Sequence, residues 1–321
     1  MPLEPLFCAF RSLIEERFSA ARAEGGESVA AVTLQIEEEP LGRGKERAEF
    51  QCIDPSGPVR ITWNGLASLW ALCQGAARLS RRMFDANRKK IERLKVDDDP
   101  ELRRGLDSLE LARRFRTDDV PISLASPDKW PSWTPIIDAT PQSASDDEAG
   151  VRFFLAALDF MFRHEIAHIA LKHAEREKSG HMTYKEGEIE ADRQAVQWLR
   201  GSLRADEKRE LGGHPGKVEL NLERRGISIG LGIIWVALFE AGCAVRNAKC
   251  PPVAERLADC IAALGLREDS GAAEILARII KAWIGPEEEW APPGGHPTAQ
   301  DALAEAIFRL HRFLNSREAI P

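Results

Sequence analysis

Apolar positions recur along this chain in two periods, and the switch between them outlines the fold. Leu6, Phe7, Phe10, Leu13, Ile14 and Phe18 stand three and four apart, which predicts an amphipathic helix over residues 4–23, broken by "EGGES". The period then shortens. "VAAVTLQIE", "RAEFQCID" and "VRITW" predict three short strands joined by turn-rich pieces such as "EPLGRGKE" and "PSGP". Helical spacing returns over residues 65–95 and 100–114. Residues 115–146 are rich in Pro, Ser and Asp and predict an irregular crossover, with short extended pieces at "PISLA" and "TPIIDA". From 147 onward every segment predicts helix: 147–178, 184–201, 217–246, 252–265, 270–284 and 297–315. The expected fold class is α+β, mostly α. An N-terminal α/β part with its crossover (1–146) and a helical part (147–321) are expected to form one compact unit.

The segment "VRFFLAALDFMFRHEIAHIALKH" has apolar residues on nearly every side. Ala157, Met161 and Leu171 fall beside one face and Leu155, Phe162 and Ile169 on the opposite one, leaving a narrow polar stripe of Arg152, Asp159 and Arg163. A helix of this kind is buried. It also carries His164-Glu165-Ile166-Ala167-His168, the H-E-x-x-H pattern. Two histidines four apart share a helix face and can hold one zinc ion, and a buried pair of imidazoles needs partners of this sort. Glu165, one step round, is placed to take a proton from a water at the open position. His173 lies nine residues after His164, about half a turn off that face, with no helix breaker between; it is expected on the back of the helix or near its end.

A third ligand is required, and the next helix offers Glu188 and Glu190. Tyr184, Glu188, Asp192, Ala195 and Leu199 share one face, which the alanine and leucine mark as inward, so Glu188 is the expected ligand. Asp192, one turn on, can accept the free ring N–H of a zinc-bound histidine, or pair with an arginine. Candidate donors to a developing oxyanion are Tyr184, the chain's only tyrosine, and His296 in the second of two "GGHP" turns; His181 and His214 are weaker candidates. The crossover, with Trp130 and Trp133, supplies either an edge strand for a peptide or a surface loop.

Composition narrows the function classes. The net charge of -7 and a pI of about 5.7 argue against nucleic acid as a partner, and the basic run at 81–95 alternates with apolar residues as a solvated helix face does. Six cysteines without a CxxC pair, and an N-terminus without a signal-peptide core, point to reduced thiols and a cytoplasmic protein. The apolar run 227–245 is interrupted by Glu240 and reads as a buried helix, so no membrane span is expected.

H-E-x-x-H followed by Glu188-Ile189-Glu190-Ala191-Asp192 resembles the gluzincin zinc peptidases. The wording is similar to the heat-shock membrane and ImmA/IrrE types, and more narrowly to the Lit-type phage-exclusion peptidases, which carry a further histidine where His173 stands. The resemblance implies a zincin-like fold, a single zinc ion, a protein or peptide substrate, and cleavage of a host translation factor during phage infection. A zincin-fold sensing or binding module with structural zinc is the alternative, and a helical scaffold carrying a chance motif the third reading.

Overall fold

The structure is a computed structural model that describes residues 3–37, 50–52, 57–91, 94–117, 145–210, 215–240, 251–285 and 295–316. The predicted extended pieces at 121–125 and 134–139, Trp130, Trp133 and His214 lie outside these residues.

Helix α1 (Leu3–Gly25) buries Phe10, Ile14 and Phe18 of the predicted apolar positions, and Ala21 with them, while Leu13 is half-buried. Strands β1 (Leu34–Glu37), β2 (Phe50–Cys52) and β3 (Val59–Thr62) form one small sheet in the order β1-β3-β2. Its central strand pairs parallel to β1 and antiparallel to β2, with Ile61 opposite both Ile36 and Phe50. Thr62 ends β3 and caps α2 (Trp63–Arg88) by accepting the Gly65 N–H at 3.0 Å. Helix α3 (Pro100–Thr117) follows, then α4 (Asp146–Ala170), α5 (His173–Lys178), α6 (Tyr184–Glu210), α7 (Pro215–Glu240), α8 (Val253–Leu264), α9 (Gly271–Ile284) and α10 (Ala299–Ser316). The architecture is α+β and mostly α. Among the described residues no helix is long and apolar enough to cross a membrane.

Helix α4 is the hub. It starts at a Ser145 cap that accepts the Glu148 N–H at 3.0 Å, and Asp146, Asp147 and Glu148 fill the positive first turn. It packs against α1, α2, α6, α7 and β2, elements drawn from both sides of residue 146. Edge-to-face pairs Phe10–Phe154 and Phe18–Phe162, each 5.5 Å between centroids, join it to α1. Gly232 lets α7 approach, since a Cβ there would sit 2.5 Å from Phe160 Cδ1.

Two members of the predicted polar stripe are buried rather than solvated. Arg163 makes a two-pronged pair with Glu24 of α1 at 2.7 and 2.8 Å and also bonds Asp159. Asp159 in turn meets Arg17 of α1 at 3.1 Å and Arg225 of α7 at 3.7 Å. The stripe therefore ties three helices together behind the motif. One predicted element is corrected. The helix expected over 147–178 ends at Ala170, and Lys172 takes the left-handed conformation (φ 56, ψ 41) before α5 begins at His173.

Candidate active site

His164 and His168 occupy the last turns of α4 and point together. Their Nε2 atoms are 3.1 Å apart. Glu188 comes from the second turn of α6, whose start is set by a reciprocal box: Thr183 Oγ1 accepts the Glu186 N–H at 3.3 Å, and Glu186 accepts the Thr183 N–H at 2.7 Å. Glu188 Oε2 lies 3.5 Å from His164 Nε2, and Oε1 lies 3.4 Å from His168 Nε2. Glu188, not Glu190, is the carboxylate grouped with His164 and His168.

These separations can be tested against a metal. A tetrahedral ion bound at about 2.0–2.1 Å holds its donor atoms about 3.3–3.4 Å apart. The two Nε2 atoms, 3.1 Å apart, lie near that spacing, and each faces its own oxygen of Glu188, at 3.5 Å from His164 and 3.4 Å from His168, so one ion between them would meet both rings and the carboxylate. The donor chemistry agrees. Asp192 Oδ1 sits 2.9 Å from His164 Nδ1, on the side of the ring away from the group, and so favours a proton there and leaves Nε2 to face Glu188 and His168. Two imidazole nitrogens and a carboxylate converging here favour a positive charge between them: without a metal a proton on His164, and with one a cation that displaces that proton. Glu165 follows His164 on the same helix and is also buried.

A guanidinium from a distant helix completes the arrangement. Arg256 of α8 donates to both oxygens of Asp192, at 2.7 and 2.9 Å, and reaches Glu188 Oε2 at 3.2 Å. Burial would raise Glu188, but its histidine partners and Arg256 hold it well below the usual carboxylate range. Asp192 is likewise lowered against its burial, chiefly by Arg256. Burial opposes a charge on His164, yet Asp192 and Glu188 outweigh it and push its pKa up to about 10. Asp192 thus lies against both partners expected of it, the His164 ring at 2.9 Å and an arginine, Arg256. Sequence reasoning missed Arg256. Its signal was present, because α8 buries Val253, Leu257, Cys260 and Ile261, and Arg256 stands among them.

His173 is not on the back of the helix. The turn at Lys172 brings its ring to His168, Nδ1 to Nδ1, at 2.9 Å. Its other nitrogen lies 3.3 Å from Glu190 Oε2, which also accepts from Arg176 at 2.7 Å. Burial and the neighbouring His168 lower its pKa to about 4. Helical phase failed here because it assumes an unbroken helix, and no glycine or proline announced the break.

Residues 59–277 match the family model described as Peptidase U49. The chain belongs to the Peptidase U49 family. The match runs from β3 to α9 and so contains both helices of the U49 candidate site. No curated protein and no solved structure matches the chain.

The remaining candidates are spread differently in this U49 peptidase. Tyr184 opens α6 one turn before Glu188 and is 45% exposed. His181 is exposed, with Nδ1 2.7 Å from Ser179 Oγ. His296 is not brought to the group. Its Nε2 lies 2.7 Å from Glu305 of α10, and it lines a separate cavity of about 1120 Å³ with Met83, Arg267 and Lys281. The turn chemistry that suggested His296 serves the entry to α10 instead.

Proposed function

We propose that this chain is a zinc-dependent endopeptidase in which His164, His168 and Glu188 hold one zinc ion and Glu165 is the general base. The observation that carries the reading is the convergence of three donors: two Nε2 atoms 3.1 Å apart, each facing its own oxygen of the Glu188 carboxylate at 3.5 and 3.4 Å. Membership in Peptidase U49 supports the reaction class and a protein substrate. The H-E-x-x-H and E-x-x-x-D spacing supports a gluzincin, zincin-like arrangement.

When bound, the zinc ion supplies Lewis acidity toward a water and the scissile carbonyl. The chain's own residues do the rest. Glu165 accepts a proton from the attacking water as its oxygen bonds to the carbonyl carbon. It then delivers that proton to the amide nitrogen as the C–N bond breaks, so the amine leaves neutral. Asp192 keeps His164 in the Nδ1–H form, and Arg256 holds Asp192 and Glu188 in register. Tyr184, at the exposed end of the Glu188 helix, is the proposed donor to the oxyanion. The Lit-type resemblance extends the proposal to a cytoplasmic protease that cleaves a host factor in phage defence.

Glu165→Gln tests the reading. The variant is expected to bind zinc one-to-one as the native chain does and to lose at least about 100-fold in peptide hydrolysis. Comparing protein termini in cells that make the native chain or Glu165→Gln should show new termini only with the native chain. If the termini are the same in both, while His164→Ala disables the protein, the zinc is structural and the chain is a sensing module.

A further inference from the structure

The two histidines of the site are held in different ways. His164 sits in the interior of α4 and is gripped by Asp192, itself clamped by Arg256. His168 lies two residues before α4 ends, where the helix constrains its residues least. The group that faces its Nδ1 is another imidazole, and the chain adopts an unusual backbone to put it there. Lys172 takes a left-handed conformation that favours glycine, and this turn folds α5 back so that His173 is buried against His168. The rings stand edge to face, 4.8 Å between centroids and 86° apart. Helix α6 closes over the pair at Gly187, where an added Cβ would lie 3.6 Å from His173 Nδ1.

The proton positions follow from geometry. His168 turns Nε2 into the cluster, so that nitrogen offers its lone pair and the ring proton is on Nδ1. Nδ1–H then donates to His173 Nδ1 at 2.9 Å. With Nδ1 accepting, His173 carries its own proton on Nε2, which faces Glu190 Oε2 at 3.3 Å. Arg176 holds that same oxygen at 2.7 Å. The His173 Nε2–Glu190 contact is an ion-pair distance without hydrogen-bond alignment, so Glu190 faces this nitrogen electrostatically. His173 also faces the side of the His168 ring away from the cluster, so it cannot share an ion with His168 Nε2.

We propose that His173 is the positioning residue of the metal centre: it fixes the tautomer and ring orientation of His168, and Glu190 with Arg176 fixes His173. This rests on the metal-binding reading above and assigns a role that the ligand set alone does not. It also gives the buried site a handle at the surface, since the Glu190 and Arg176 side chains are 41% and 39% exposed.

The test uses the full chain, a chelator-competition measurement of zinc affinity, and the visible spectrum of the cobalt-substituted protein. His173→Phe keeps the ring's shape and removes the acceptor. It is expected to weaken zinc binding about 10- to 100-fold and to change the cobalt spectrum. His173→Asn, whose amide oxygen can stand near the Nδ1 position, is expected to recover most of the affinity. Glu190→Ala, at an exposed position that leaves the core intact, is expected to lose several-fold, and it carries the test if His173→Phe does not fold. Native affinity and spectrum in His173→Phe, or unchanged affinity in Glu190→Ala, overturn the proposal. So does a His173→Asn spectrum that has lost a nitrogen ligand as His168→Ala does, because His173 would then be a ligand itself. A native chain that takes up no zinc removes the metal reading altogether, an outcome distinct from these.

Discussion

Arg256 offers the sharpest test of how the site is built. Its side chain is 7% exposed and lies against carboxylates of Asp192 and Glu188 that are 4% and 10% exposed. Arg256→Met preserves much of the bulk and removes the charge. Two charge-assisted bonds to Asp192, at 2.7 and 2.9 Å, are lost outright, which at about 1.5–3 kcal/mol each amounts to about 3–6 kcal/mol. Stranding a buried charge by deleting its partner gives a similar figure, about 3–5 kcal/mol. We therefore expect Arg256→Met to lose about 3–5 kcal/mol, a large part of the roughly 5–15 kcal/mol that holds a typical domain folded. The assay is urea unfolding at neutral pH in the presence of a chelator, so that metal does not mask the loss. Arg256→Lys keeps the charge without the planar fork and should fall between the two. The double variant Asp192→Asn/Arg256→Met should lose less than the sum of the single changes, by about 1–3 kcal/mol. A loss under about 1 kcal/mol for Arg256→Met would show that this guanidinium does not compensate the buried carboxylates.

Other outcomes follow from the same geometry. Gly232→Ala places a methyl 2.5 Å from Phe160 Cδ1 and 3.3 Å from Met161 Sδ, so it should cost about 1–3 kcal/mol in urea unfolding. Lys172→Gly relieves a left-handed lysine and should leave stability equal or higher by up to about 1 kcal/mol, with zinc affinity unchanged. In chelated protein, the raised His164 pKa makes a stabilising contribution that is complete below pH 6.5 and is lost as pH rises through about 10. Thermal unfolding midpoints of the chelated protein should therefore fall across that alkaline range, and saturating zinc should flatten the fall.

Much of the site was legible because helical phase is a local property. His164 and His168 share a face for the same backbone reason that Glu188 and Asp192 do, and the alanines and leucines beside them marked those faces as inward. The same logic separated Glu188 from Glu190, and the shorter period of strands placed β1, β2 and β3. It failed where the backbone departed from the assumed helix. At Lys172 no glycine or proline marked the turn, and His173 was assigned to the wrong side. His296 was suggested by a repeated turn motif, but the turn serves α10 and its own ion pair with Glu305. Arg256 could be seen as a misplaced charge on the apolar face of α8, but nothing in its helix said what it would meet.

The amino-acid sequence by itself determined most of the elements, their buried faces and the pair of half-sites on α4 and α6. These depend on hydrogen bonds and side-chain spacing within a few residues, and those are written into each segment. Only the tertiary structure decided that Arg256, 64 residues beyond Asp192, joins the two half-sites from behind. It alone also showed that the chain turns at Lys172 to press His173 onto His168. Both outcomes depend on burial summed over helices far apart in the chain: a buried carboxylate or imidazole must find a partner, and which partner it finds is settled when the helices pack.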